Sequence, residues 1–355
     1  MANQKRIAIG TVVAACGLAM AGSVFITATV GWRPLIGPRA RALSSRTFAR
    51  TPERLSRGRY LVQSVDGCLV CHSPRDWRQH DAPIVAGHEG AGQDLAAWAD
   101  LPGHIIAPNL TPDMETGAGS WSDDALARAI REGVGHDGRA LFPLMPFEQF
   151  RHMSDEDVAS VVVFLRSLAP IRNPMPPSRV QFPVKYLIRT LPQPILDPVT
   201  SPDRSSAISR GAYLTKLGVC EHCHTPRERG APRADLSFAG GFVLEGPWGR
   251  VAAANLTPDP SGIPYYDESL FLEVLRTGRV KARTLNQVMP WHMFRRMTDS
   301  DLTDMFTYIR TLAPVRHHVD NALPPTYCAI CKNTHGAGDL NSTPQPVAEI
   351  SHARF

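Results

Sequence analysis

CLVCH at residues 68–72 and CEHCH at residues 220–224 are the stretches from which the rest of the chain is read. In C-x-x-C-H the two thiols stand one helical turn apart. At that spacing they add to the two vinyl groups of one porphyrin, and the adjacent histidine lies under the iron as proximal ligand. A lone C-x-x-C pair serves equally as half a zinc site, a redox dithiol or a disulfide. Two pairs, each closed by His and set in matching flanks, point to covalent haem at Cys68, Cys71 and His72 and again at Cys220, Cys223 and His224. A third pair, CAICK at 328–332, has Lys332 where the histidine would stand.

The flanks form a repeat. SRGRYL at 56–61 matches SRGAYL at 209–214, CLVCHSPRD matches CEHCHTPRE, and Ala86-Gly87 matches Ala239-Gly240. APNLTPD at 107–113 matches AANLTPD at 253–259, and LMPF at 144–147 matches VMPW at 288–291. MSDEDVASVVVFLRSLAP at 153–170 matches MTDSDLTDMFTYIRTLAP at 297–314. Two copies of one domain are therefore expected, at 53–170 and 205–315, each near the usual domain size. Residues 171–204 hold eight prolines and read as a semi-rigid Pro-rich linker, with VKYLIR at 184–189 as a short amphipathic piece that packs between domains.

Each copy reads as mainly α. A first helix carries C-x-x-C-H at its end, stopped by Pro74 or Pro226. A middle helix ends at Gly133 or Gly278 as C-cap. A last helix starts at Ser154 or Thr298 as N-cap, with hydrophobic-staple spacing at Met153/Val158 and Met297/Leu302. The Gly/Pro-rich loops between are too long for a self-supporting small domain, so haem is expected to supply the missing core.

The sixth iron ligand separates a carrier from a catalyst, because chemistry at iron needs an open position. Met145 and Met289 lie in Pro-flanked loops (FPLMPF, NQVMPW) where packing rarely asks for methionine, and they are the expected axial partners of His72 and His224. Met153 and Met297 are explained by the staples. His104, His136 and His292 are the alternative ligands. Trp121 and Tyr266 align across the repeat as propionate partners or, more simply, packed aromatics. Asn109 and Asn255 are expected to anchor their loops by Asx-type hydrogen bonds.

Haem attachment to thiols belongs to an export compartment, and residues 7–30 form an uncharged run long enough to cross a bilayer. Its length favours an uncleaved anchor (1–31) over cleavage after Ala21 or lipidation at Cys16. Five arginines follow in the juxtamembrane segment 32–52 and only Lys5 and Arg6 precede. The positive-inside rule would place the five in the cytoplasm, whereas haem chemistry requires the bulk of the chain to face the periplasm. Residues 53–170 carry 10 basic and 17 acidic side chains, a solvated face or a docking face for a redox partner. No basic-aromatic stretch suggests nucleic acid.

CHSPRD, CHTPRE, the two NLTPD loops, the two MP loops and both LAP helix ends resemble the multi-haem cytochrome c subunit of bacterial membrane-bound alcohol, aldehyde and gluconate dehydrogenases. The resemblance implies two tandem class I cytochrome c-like domains on an inner-membrane anchor, with a flavin, quinone or molybdenum dehydrogenase as partner. It also implies quinone or a terminal oxidase as electron acceptor, and no catalytic residue in this chain. Many such subunits carry three haem domains, so the tail 316–355 reads as a vestige of a third. Cys328 and Cys331 are then a disulfide or an idle dithiol, a haem site with lysine, or a metal site using His335 or His352. Two haems are expected. The rival is a dihaem enzyme, of peroxidase or thiosulfate-oxidising type, with one open haem; the matched Met145 and Met289 argue against it.

Overall fold

The computed structural model describes residues 2–29, 31–98 and 101–337. Helix α1 (Ala2–Ala28) is, among the described residues, the one helix long and apolar enough to cross a membrane. Its Thr11–Ala28 stretch has mean hydropathy 1.9 and is not covered by the rest of the protein. A four-residue helix α2 (Arg33–Ile36) follows.

The same order of helices then runs twice. The first series is α3 (Pro52–Tyr60), α4 (Cys68–Cys71), α5 (Asp123–Glu132), α6 (Phe147–Phe150) and α7 (Asp155–Leu165). After a short crossing helix α8 (Val184–Leu187) come α9 (Ala207–Leu217), α10 (Cys220–His224), α11 (Glu268–Thr277), α12 (Trp291–Phe294) and α13 (Asp299–Ile309). Caps set these boundaries. Ser154 accepts from Asp157 N and Thr298 from Asp301 N, three carboxylates crowd the first turn of α7, and Gly133 and Gly278 close α5 and α11 in the left-handed region.

The haem motifs do not lie at the end of one continuous helix, contrary to the expectation from the sequence. A left-handed residue, Gly67 at φ 65° or Val219 at φ 58°, breaks the ladder and starts a separate short helix that carries the cysteines. The first copy also has one more residue between its SRG and its first cysteine than the second. That insertion coincides with a π-helical turn at Leu61–Val65, the usual way a helix absorbs one extra residue.

In both series the first helix packs on the last. Their axes approach so closely that a Cβ on Gly58 would stand 1.9 Å from Ser160 O, and one on Gly211 1.9 Å from Asp304 O. Arg57 forks onto Asp157 (2.8 and 2.9 Å) and Arg210 onto Asp304 (2.6 and 2.9 Å) beside these crossings. One continuous apolar core joins the two series, from Leu61, Val62 and Val161 to Leu214, Leu302 and Met305.

The series also trade a hydrogen bond. The Tyr60 hydroxyl donates to Asp301 at the start of α13 and accepts from Thr298 N (3.2 Å). In return Tyr213 donates to Asp157 (2.7 Å) at the start of α7 and accepts from Ser154 N (3.0 Å). Both tyrosines come from the repeated SRGxYL motif, so the contact is self-complementary, like an isologous dimer interface.

Segments outside the repeat are packed in as well. Arg41 lies against Asp124 (2.8 Å) and Glu132 (2.8 Å), and Arg46 against Asp124 (3.1 Å), so two of the segment's five arginines are counter-charges for α5. Residues 171–204 run along the first series: Arg179–Val180 pair with Gly103–His104, and Arg189 donates to Pro34 O (2.9 Å). Ile188 is the one buried residue of the VKYLIR stretch. Residues 316–337 fold onto the second series, where Asn321 exchanges two hydrogen bonds with the Ala252 backbone (2.8 and 2.9 Å).

Replacing Gly211 by Ala is expected to lower stability by at least about 1–3 kcal/mol, since backbone rather than a movable side chain occupies the space. Urea unfolding of the holoprotein measures it, and Gly58→Ala should behave alike.

Candidate haem cavity

A cavity of about 1610 Å³ opens between the two helix series. It exceeds the usual range of roughly 300–1,000 Å³ for a small-molecule pocket. Its lining includes Cys68, Cys71, His72 and Met145 from the first series and Cys220, Cys223, His224 and Met289 from the second. All eight candidate residues thus meet in one continuous space.

Each histidine is oriented from behind. His72 Nδ1 donates to Pro108 O (2.8 Å) and His224 Nδ1 to Ala254 O (2.7 Å). A proton fixed on Nδ1 leaves Nε2 as a lone pair, the arrangement a ligating histidine uses. Burial keeps both imidazoles below their ordinary pKa, hence neutral, despite those hydrogen bonds. The carbonyls come from the repeated A-P/A-N-L-T-P-D loops. Asn109 fastens the first loop by accepting from Thr111 N (2.9 Å) and donating to Ile171 O (2.7 Å) just past α7. Asn255 repeats this with Thr257 N (2.9 Å) and Val315 O (2.9 Å).

The cysteines are free thiols, each on the lining. Burial pushes Cys71 and Cys223 up to about 11 and Cys220 up to about 12, and raises Cys68 well above its ordinary value. Cys223 adds to the rise at Cys71, so the two motifs stand near enough to feel each other's charge. Met145 and Met289 sit in matching turns, with Phe147 N and Trp291 N donating to their carbonyls (both 2.8 Å). Met153 and Met297 are buried staple residues away from the lining.

The alternative ligands are occupied elsewhere. His104 contacts Asp94 (2.7 Å), His136 stacks on Trp121 at 4.1 Å, His292 accepts from Arg75 (3.2 Å), and none of the three lines the cavity. Trp121 and Tyr266 do line it, the first under His136 and the second edge-on to Tyr265 at 5.0 Å. Cys328 and Cys331 lie outside the lining and are free thiols rather than a disulfide. His352 is outside the described residues.

Several lining or neighbouring groups carry no obvious sequence signal. His222, inside CEHCH, lines the cavity and accepts from Arg227 (3.0 Å), with burial pushing it down to about 3. Arg75 is buried over Trp77 at 4.3 Å, donates to Ala82 O (2.7 Å), and is pushed down to about 10 by burial. Arg75 and Arg227 occupy the same place in the repeated SPRD and TPRE strings, which marks them as a pair but gives no role. Trp248 of the second series meets Trp77 (5.0 Å) and Trp98 (4.8 Å) of the first. Asp66 lines the cavity two residues before Cys68, and neither of its buried oxygens has a hydrogen-bond partner.

The residues fit covalent haem: thiol pairs on turns of the lining, imidazoles with bare Nε2 atoms, and thioethers on the same space. A cytochrome c family model matches residues 55–169. A diheme cytochrome c-type protein of Cereibacter sphaeroides is 30% identical over 222 residues, 59% of this chain and 70% of its own. The chain belongs to the cytochrome c family. The family binds haem c covalently. Other relatives of this cytochrome are a nicotinate dehydrogenase subunit of Pseudomonas putida (35% identical, 63% of this chain and 18% of its own) and the fructose dehydrogenase cytochrome subunit of Gluconobacter japonicus (28%, 78% and 57%). The chain therefore spans less than two thirds of these two dehydrogenase subunits.

Asp66 gives a pH prediction. Burial raises its pKa from 3.8 to about 8, so between those values the folded state holds a proton that the unfolded state releases. Stability from this group is present at low pH and is lost as pH rises toward and through about 8, at up to about 1.4 kcal/mol per pH unit. Asp66→Asn should flatten that slope in urea titrations at pH 5, 7 and 8.5.

Proposed function

We propose that this cytochrome is a membrane-anchored, periplasm-facing dihaem electron carrier, built as two tandem class I-like domains joined by the Pro-rich segment. It takes electrons from a partner dehydrogenase and delivers them to quinone or a terminal oxidase of the respiratory chain. The single observation that carries the reading is the duplicated set of two thiols, one oriented imidazole and one thioether around one cavity.

Cys68 and Cys71 would hold one haem and Cys220 and Cys223 the other, each through two thioether bonds. His72 and Met145 would hold the iron of the first, and His224 and Met289 that of the second. Haem c supplies a reversible one-electron ferric/ferrous couple. The chain's own residues determine how readily that couple turns over. The Nδ1–carbonyl bonds fix the two imidazoles and would limit their movement when the bound group changes oxidation state. The apolar lining excludes water and lowers the cost of reorganisation. The buried Arg75 and the half-buried Arg227, close enough to influence Cys71 and Cys223, would favour the state with less positive charge and so raise the potential. Because both motifs line one cavity and Cys223 is near enough to act on Cys71, the two groups would be held close together. Names of relatives that are cytochrome subunits of dehydrogenases support a dehydrogenase partner, and α1 supports the anchor.

Intact-mass analysis should find two haem increments. Met145→Ala should open one site, so that reduced protein binds carbon monoxide where wild type does not. It should also lower one midpoint potential by on the order of 100 mV. Prompt carbon monoxide binding by wild type would instead favour a dihaem enzyme. Purification from membranes in mild detergent, with identification of co-eluting flavin, quinone or molybdenum subunits, tests the partner.

A further inference from the structure

The third cysteine pair has a different setting from the first two. Cys328 and Cys331 lie not on a helix but at the tip of a hairpin whose arms are Pro325–Tyr327 and Thr334–Gly336. Cys328 N donates to Asn333 O (2.9 Å), and Lys332 N donates to Cys328 O (2.9 Å). Lys332 itself sits in the left-handed region at φ 62°. In this turn the residue after the second cysteine serves the backbone rather than a ligand.

Two histidines complete the group. His317, from the strap that leaves α13, and His335, from the second arm of the hairpin, are buried with both cysteines, all four at 1% exposure or less. One donor atom from each residue lies within 4.8 Å of the other three. His317 Nε2 is 3.1 Å from His335 Nε2 and 3.4 Å from Cys328 Sγ. A tetrahedral zinc, with bonds of about 2.0–2.1 Å to nitrogen and about 2.3 Å to sulfur, sets such atoms roughly 3.3 and 3.6 Å apart.

The second layer decides the protonation. His317 Nδ1 donates to Ala239 O (2.9 Å) and His335 Nδ1 to Gly336 O (2.9 Å). With protons fixed on both Nδ1 atoms, the two Nε2 atoms present lone pairs to each other across 3.1 Å. Two lone pairs at that distance repel unless a cation lies between them. Carbonyl-held imidazoles are also the usual support of zinc-bound histidine. Two thiolates and two imidazoles in a closed, water-excluded site select zinc over calcium, magnesium or manganese.

We propose that Cys328, Cys331, His317 and His335 hold a structural Zn²⁺ that fastens residues 316–337 onto the second helix series. Each thiol releases its proton to solvent as its sulfur bonds the ion, and both Nε2 atoms bond it through their lone pairs; no electron is transferred. Ala239 lies in the loop after the second haem motif, and Gly240 N donates to His224 O (2.7 Å), so the site also braces the segment behind His224.

Metal analysis of the holoprotein from cells grown with added zinc is expected to give one zinc per chain beside the haem iron. Zinc-edge X-ray absorption should show two sulfur and two nitrogen neighbours. Cys331→Ser and His335→Ala should each reduce zinc content at least tenfold while the haem spectrum persists, and His318→Ala, outside the cluster, should retain it. Zinc-free wild type, or zinc retained in both variants, would overturn the proposal. So would a Cys328–Cys331 disulfide detected by alkylation of the denatured, unreduced protein. The wild-type analyses stand even if a variant does not accumulate.

Discussion

The architecture depends on a hydrogen bond from an imidazole to a backbone carbonyl, made once in each half. His72 reaches Pro108 O and His224 reaches Ala254 O. Those carbonyls are held by Asn109 and Asn255, whose amides are in turn tied to Ile171 and Val315 at the exits of α7 and α13. A side chain on a short helix is thereby referred to a long helix far along the chain, through loops with little regular structure of their own. Long loops of this kind are costly unless something organises them. Here the asparagine anchors and the covalent group do so together, so the loops and the candidate haem sites are one construction.

Much of this is legible in the sequence because duplication makes meaning visible. A cysteine pair read once is ambiguous; the same pair inside two sets of matched flanks fixes the residues that matter. Caps at Ser154, Thr298, Gly133 and Gly278 follow from local chemistry, since a side-chain acceptor or a left-handed glycine acts over three or four residues. Asn109 and Asn255 are legible as anchors for the same reason, although not what they are anchored to. The break before the second C-x-x-C-H is not, because Val219, unlike Gly67 in the first copy, gives no local sign of a left-handed backbone.

Long-range charge is equally hidden. The acidic excess of the first half looks like a surface property, but Asp124 and Glu132 are inside, answered by Arg41 from a segment that reads as juxtamembrane. The burial of Arg75 and the partial burial of Arg227 beside the cysteines depend on tertiary packing, which no single window of sequence contains. His317 belongs with Cys328 and Cys331 only after the chain has turned back across Ala239. Position in a closed tertiary structure, rather than residue type, assigns these roles.

The exchange between Tyr60 and Tyr213 has an architectural consequence. Each tyrosine caps the last helix of the opposite series, so each half ends in a contact it cannot make alone. The covalent connection keeps the opposite partner at a high effective concentration, and pairs of modest strength then suffice to lock the halves. The molecule is in this respect a homodimer written into one polypeptide. Once fused, its copies are released from identity: one can keep a π turn and Asp66 while the other builds on a C-terminal hairpin. The boundary seen in the repeat therefore runs along an interface to which both halves contribute apolar core and helix caps.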